Sequence, residues 1–259
     1  MKKIQNILIY INKFIMKNPD SLKKKNILIL AGSSDIGIQL IKHLLIEGWF
    51  VVAHYSSNNK IFHKLKNKNL KIIKLDFKSI NEKNYLKKIN TFFKYRFDAY
   101  VNLVGYVDNK SLKTTSLKNL FEIFKINTFL PLLIMNKLIE SMSKNSYGRI
   151  LNCSSIGVKF GGGKESFNYS FSKHSLEFIP GAYKEWAKKN ILINNLRIGV
   201  TDTKIHKKMK KISNLKQRVK LIPMNRMAKP DEIADYIVFL ISEKNSYMTG
   251  ETITVSGGE

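Results

Sequence analysis

The chain has 259 residues, of which 44% are hydrophobic, 11% aromatic and 25% charged, fractions that exclude a wholly disordered chain and leave enough apolar surface to fold without disulfides or a structural metal. Lys plus Arg number 45 against 19 Asp plus Glu, a formal charge of +26, but only five of those cations are arginines. Nucleic-acid readers draw on Arg for bidentate contacts, and no reading motif accompanies the charge, so specific nucleic-acid binding is not expected and only nonspecific attraction to polyanions remains. Cys153 is the only cysteine, which rules out an intramolecular disulfide and a cysteine-based zinc site and suits a reducing, cytoplasmic compartment.

Residues 1–25 form an N-terminal extension whose Ile4, Ile7, Leu8, Ile11 and Ile15 are spaced like one face of a helix. Asn6, Asn12 and Lys13 interrupt it, and it falls short of the roughly 20 apolar residues that span a bilayer. A docking helix, a membrane-surface helix and a true start at Met16 are all open readings. From residue 26 onward, seven short β-rich runs are expected as strands: 26–31, 50–55, 70–76, 98–105, 148–155, 191–199 and 251–257. Helical stretches lie between them, among them Ile36 to Glu47, Leu117 to Met142 and Tyr169 to Lys189. Such alternation is the mark of stacked βαβ units, hence of one doubly wound α/β domain over 26–259, a seven-stranded parallel sheet with helices on both faces. Ligands of such sheets lie beyond the carboxyl ends of the strands.

The first strand runs into "LAGSSDIGIQL", a turn opening a helix, where unpaired N–H groups and the positive end of the helix dipole suit a nucleotide pyrophosphate. Only Gly32 and Gly37 keep glycines there, so the motif alone is weak. Tyr169 and Lys173 stand four residues apart on one expected helix face, and an ammonium near a phenol is expected to lower the phenol's pKa from about 10. Spacing by itself decides nothing: chance supplies about two such pairs, and Tyr106 with Lys110 is the second. The surroundings distinguish the first pair. Ser155 ends a strand 14 residues upstream, and Asn127 sits within the helical run "LFEIFKINTFLPLLIMN", where a buried amide needs a partner.

This assembly resembles the classical short-chain dehydrogenase/reductase family, with a Rossmann-type fold, from about residue 26 to the end of the chain. The family's GRIVNxSS corresponds to Gly148–Ser155, its Tyr-x-x-x-Lys to Tyr169 and Lys173, and its helix asparagine to Asn127. Its Asn-Asn-Ala-Gly is altered here to Asn102, Leu103, Val104 and Gly105. Its Pro-Gly-x-x-x-Thr becomes Ile198, Gly199 and Thr203, and its C-terminal block reappears from Ile222 to Gly258. The resemblance implies a hydride-transferring oxidoreductase acting on a carbonyl or a secondary alcohol. Tyr169 would be the acid or base, Lys173 would lower its pKa and hold the nicotinamide ribose, Ser155 would bind the substrate oxygen, and Asn127 would keep a water in a proton relay. Carried over likewise, the cofactor would meet Gly32, Ser33, Ser34, Ile36 and Gly37 at its phosphates. Tyr55, Ser56, Ser57, Asp76 and Phe77 would surround its adenosine, and Asn102, Gly105, Gly199 and Thr203 would line the rest with Tyr169 and Lys173.

Ala31 in place of the first glycine adds a methyl at a tight turn, and Asp35 in place of the second brings a charge near the phosphates unless it turns away. No acid lies between His54 and Lys60, so a 2′-phosphate meets hydroxyls, amides and a lysine; NADP(H) is expected over NAD(H). A substrate lid is implied near 203–220, rich in lysine and free of acids, which a negatively charged carrier-bound thioester would suit and an ordinary solvated face would equally explain. Tyr147, Phe160, Phe167 and Met209 either line the pocket or merely pack. Relatives with this C-terminal block most often reduce 3-oxoacyl carrier-protein thioesters, and the resemblance implies a homotetramer or homodimer. The alternative is a catalytically silent dinucleotide-binding sensor or scaffold. No metal is expected.

Overall fold

Alternate residues of the first strand, β1 (Asn26–Leu30), enter opposite cores: Ile27 and Ile29 pack on one side of the sheet, Leu28 and Leu30 on the other. A strand covered on both faces must be apolar throughout, and this one is. The computed structural model describes residues 25–204 and 217–259. The expected amphipathic segment of the first 24 residues, and Met209 with most of the expected lid, lie outside the described residues.

The other strands are β2 (Phe50–Tyr55), β3 (Leu70–Lys74), β4 (Ala99–Asn102), β5 (Gly148–Ser155), β6 (Ile191–Ile198) and β7 (Thr252–Val255). All pair in parallel, in the order β3-β2-β1-β4-β5-β6-β7. The order reverses between β1 and β4, which opens a crevice at their carboxyl ends. Helices α1 (Asp35–Ile46) and α7 (Pro230–Ile241) cover one face. The opposite face carries α2 (Tyr85–Ile89) and α4 (Leu130–Asn145). Strand β3 departs from the expectation of cover on both sides: it is an edge strand, with Lys71, Ile72 and Lys74 exposed. Among the described residues no helix is long and apolar enough to cross a membrane.

Two of the expected helices differ in form. The run from Leu117 is α3 (Leu117–Phe124), a π-helical turn over Lys125–Phe129, then α4. Pro131 has no N–H for the carbonyl of Asn127 four residues back, and the backbone takes up the mismatch in the wider turn. The run expected from Tyr169 to Lys189 is two helices, α5 (Phe167–Glu177) and α6 (Tyr183–Lys188). Pro180 pushes its predecessor out of the helical region, and Phe178, already extended at φ −75° and ψ 101°, ends α5.

Candidate active site

At the β1–α1 turn the backbone bends sharply, and Ala31 stands at φ +55°, a left-handed conformation that costs a residue bearing a Cβ about 1 kcal/mol. Replacing Ala31 by Gly is therefore expected to raise stability by about 0.5–1 kcal/mol, or about 1–4 °C in thermal midpoint, measured by differential scanning calorimetry. Gly37 admits no side chain, since a Cβ there would lie 2.7 Å from the carbonyl oxygen of Gly32. Ser34 caps α1, its Oγ accepting from Gly37 N at 3.1 Å. The N–H groups of Asp35 and Ile36, in the first turn, have no intrahelical acceptor and face out of the helix end. The Asp35 carboxylate turns away from that end to accept from Lys204 N at 2.7 Å, with Lys204 Nζ at 3.4 Å.

His54 holds this turn from below and was not a sequence candidate. Its Nδ1 accepts from Ala31 N at 3.2 Å and its Nε2 lies 2.7 Å from the Leu75 carbonyl oxygen. Burial lowers its pKa to about 4, so the ring stays neutral and tethers three strand ends without adding charge. Its ring stacks on Phe77, with centroids 4.7 Å apart. Phe77 and Tyr55 are both buried side chains of the core, so their backbones, not their rings, are available to a ligand. Ser56 and Ser57 are exposed at the end of β2. Asp76 Oδ1 accepts from Lys78 N at 3.0 Å and from Ser56 Oγ at 3.3 Å, which makes it a turn cap as well as a candidate ligand contact. Beside this region lies a cavity of about 880 Å³ lined by Asp35, Lys42, Asn58, Lys60 and Lys204 among others.

The carboxyl ends of β4 and β5 bring the other candidates together on α5. Ser155, the last residue of β5, stands beside the half-buried Tyr169, close enough for its hydroxyl to lower the phenol's pKa. Lys173 Nζ lies 6.0 Å from the Tyr169 ring centroid, but it is almost fully buried and donates to Val104 O at 2.5 Å and Cys153 O at 2.6 Å. The expected fall in the phenol's pKa is not what this geometry produces. Burial pushes Tyr169 up to about 12, the Ser155 hydrogen bond opposing it, while burial draws Lys173 down to about 8. Desolvation outweighs attraction because the ammonium is engaged by two carbonyls rather than aimed at the phenol oxygen.

Asn127, fully buried in the π turn, ties this group to the loop after β4. Its Oδ1 accepts from Tyr106 N at 2.8 Å, and its Nδ2 donates to Tyr106 O and to Ser172 Oγ, each at 2.9 Å. Asn102 is also fully buried, and its Oδ1 accepts from Val104 N at 3.1 Å, shaping the turn to Gly105. At the end of β6, a Cβ on Gly199 would lie 2.5 Å from Ser256 Cα, and Thr203 Oγ1 donates to Thr201 O at 3.3 Å. Tyr147 does not line this cleft: it precedes β5, at the opposite end of the sheet, where its ring faces Lys25 and Arg149.

The residues fit a dinucleotide. The helix end offers free N–H groups, Asp35 is turned aside, and the sheet reverses beside Tyr169, whose phenol lies near the strand-end hydroxyl of Ser155. The cleft can thus place a proton donor beside a bound nicotinamide group. Fold and site define a dinucleotide-binding oxidoreductase of the doubly wound α/β class. The chain belongs to the short-chain dehydrogenase/reductase family: the family profile described as Enoyl-(Acyl carrier protein) reductase matches residues 30–259. It is similar to the 3-oxoacyl-[acyl-carrier-protein] reductase FabG of Buchnera aphidicola subsp. Schizaphis graminum, 31% identical over 242 residues, 92% of this chain and 98% of that protein. Its fold is shared with the 3-oxoacyl (acyl-carrier-protein) reductase from Agrobacterium tumefaciens C58 with NADP bound, at 21% identity and a TM-score of 0.79 over 92% of this chain and 95% of that one. The 4-hydroxyisoleucine dehydrogenase complexed with NADH shares it too, at 22% identity and a TM-score of 0.80 over 91% and 98%.

Proposed function

We propose that this chain reduces the keto group of a 3-oxoacyl thioester on a carrier protein, using NADP(H), with Tyr169 as the proton donor. The observation that carries the reading is Tyr169 beside Ser155 at the carboxyl end of β5, with Lys173 Nζ 6.0 Å from its ring. A bound NADP(H) would supply the hydride. Ser155 would hold the carbonyl oxygen, and the Tyr169 phenol would deliver a proton to that oxygen as negative charge develops on it. A phenol held near pKa 12 is protonated at neutral pH and so is available as the donor. Asn127 would hold the loop after β4 and the α5 backbone in register around the proton path. Gly32, Ser33, Ser34, Ile36 and Gly37 would hold the phosphates, and Ser56, Ser57, Asn58 and Lys60, with no acid among them, support NADP(H) over NAD(H).

Self-association belongs to the same reading. Leu117, Phe121, Phe129, Leu132, Leu133 and Phe171, on α3, the π turn, α4 and α5, are exposed large hydrophobic side chains, more than a monomer's helices need to show. They would be covered by a second copy in a homodimer or homotetramer. The lone buried Cys153 suits a cytoplasmic enzyme.

The test is NADPH and NADH oxidation against a panel of ketones and 3-oxoacyl thioesters. NADPH is expected to exceed NADH at least tenfold in kcat/KM, and Lys60→Glu is expected to narrow that ratio. Tight NADPH binding without turnover on any substrate would put the dinucleotide sensor in place of the reductase.

A further inference from the structure

Helix α5 carries a third charged or polar side chain in line with its first two. Tyr169, Lys173 and Glu177 follow one another at intervals of four residues and so share a face, and Glu177 is the last residue of the helix. Its carboxylate is 7% exposed. It accepts from Ser154 Oγ at 2.6 Å, from Arg197 Nε at 2.9 Å and from Arg197 Nη2. His174 Nδ1 lies 3.8 Å away, and Asn195 Nδ2 donates to the Glu177 carbonyl at 3.0 Å.

Local chemistry disfavours an acid here. A carboxylate at a helix C-terminus meets the negative end of the dipole, and a buried one is costly unless paired. Arg197 on β6 and Ser154 on β5 offset both penalties, so Glu177 is retained by its tertiary partners. Those partners join the two strands that flank the site. The last three residues of β5 each meet α5: Cys153 O receives Lys173 Nζ, Ser154 Oγ reaches both Glu177 and, at 3.4 Å, the Lys173 carbonyl, and Ser155 stands beside Tyr169. The helix has no side-chain N-cap bond and ends at Glu177 itself. Asn127 and Thr128 hold its Ser172 flank, and Glu177 supplies the charged tie on the Lys173 flank.

Resting on the reductase reading above, we propose that Glu177, locked by Arg197 and Ser154, is a positioning residue that sets the rotation and height of α5 and thereby places Tyr169 and Lys173 for proton delivery. Glu177 touches neither cofactor nor substrate, so its effect is expected in kcat and not in substrate KM.

The experiment compares steady-state reduction of a 3-oxoacyl thioester by the full chain and by Glu177→Ala, Glu177→Gln and Ser154→Ala, each checked for folding by circular dichroism. Glu177→Ala is expected to lower kcat tenfold or more with KM for the thioester unchanged within twofold. Glu177→Gln, whose amide oxygen can still accept from Ser154 and Arg197 Nε but which loses the bond from Arg197 Nη2, is expected to lower kcat less than Glu177→Ala does. Should Glu177→Ala not fold, Ser154→Ala carries the same reading, with a fall in kcat of about threefold expected. A folded Glu177→Ala, or Ser154→Ala in its place, that keeps its kcat overturns the positioning role. Equal loss in Glu177→Ala and Glu177→Gln overturns it as well. An unaltered chain that reduces no thioester instead removes the reductase reading, and this proposal with it.

Discussion

Tyr169→Phe is expected to lower kcat about 10²–10⁴-fold, the usual contribution of a positioned general acid, while the dissociation constant for NADPH stays within about threefold. The substitution removes one oxygen and keeps the ring. With Tyr169 near pKa 12 and Lys173 near 8, the protein loses its protonated phenol and keeps its ammonium, so cofactor contacts to the helix persist and the proton supply does not. Single-turnover NADPH oxidation, followed beside a fluorescence titration of NADPH binding, separates the two effects. Retention of more than a tenth of the rate would mean that the proton reaches the substrate oxygen by another path, and the proposed role of Tyr169 would be wrong.

Asn127→Leu has the largest expected effect on stability. The amide is fully buried and makes three hydrogen bonds, two with Tyr106 and one with Ser172. Leucine fills a similar volume but leaves the Tyr106 N–H and C=O without their side-chain partner. Each group so stranded costs about 1–3 kcal/mol, and together about 2–6 kcal/mol. At about 2–4 °C per kcal/mol for a chain of this size the thermal midpoint should fall by about 4–24 °C. Calorimetry of the two proteins decides it, and a midpoint within 2 °C would show that water or backbone relaxation satisfies Tyr106 instead. Asn127→Leu should also lose activity below its melting range, because the loop after β4 and helix α5 would no longer share a tie.

The strands were legible because a parallel sheet buried on both sides demands unbroken β-branched and aromatic runs. Even so, several runs end a few residues early, as at Asn102, where a polar side chain turns back on its own loop. The joined reading of 169–189 failed because apolar periodicity continues through Phe178 and Ile179 while Pro180 forbids the helix to follow it. At the site, motif order placed Ser155, Tyr169 and Lys173 on neighbouring elements. It did not indicate where the ammonium would point, so the direction of the phenol's shift came out reversed. Asp35 looked repulsive until its partner Lys204, 169 residues away, was in view. His54, Glu177 and Arg197 gave no local sign of their roles, since each acts through a residue distant in the chain. The one available hint was a polar or charged residue inside an otherwise apolar strand, as in "FVVAHY".

The three-residue grip of β5 on α5 also decides where this molecule tolerates insertions. A strand repeats every two residues, so a single residue added within 148–155 would exchange the faces of everything beyond it and detach all three grips together. Between strand and helix, after the 3-10 turn Ile156–Phe160, the exposed residues 163–165 have no such period, and a residue gained there leaves both ends seated. Length variation in descendants of this chain should therefore collect in that segment, ahead of the helix that carries Tyr169, where it would reshape the approach to the cleft while leaving the residues on β5 and α5 in place.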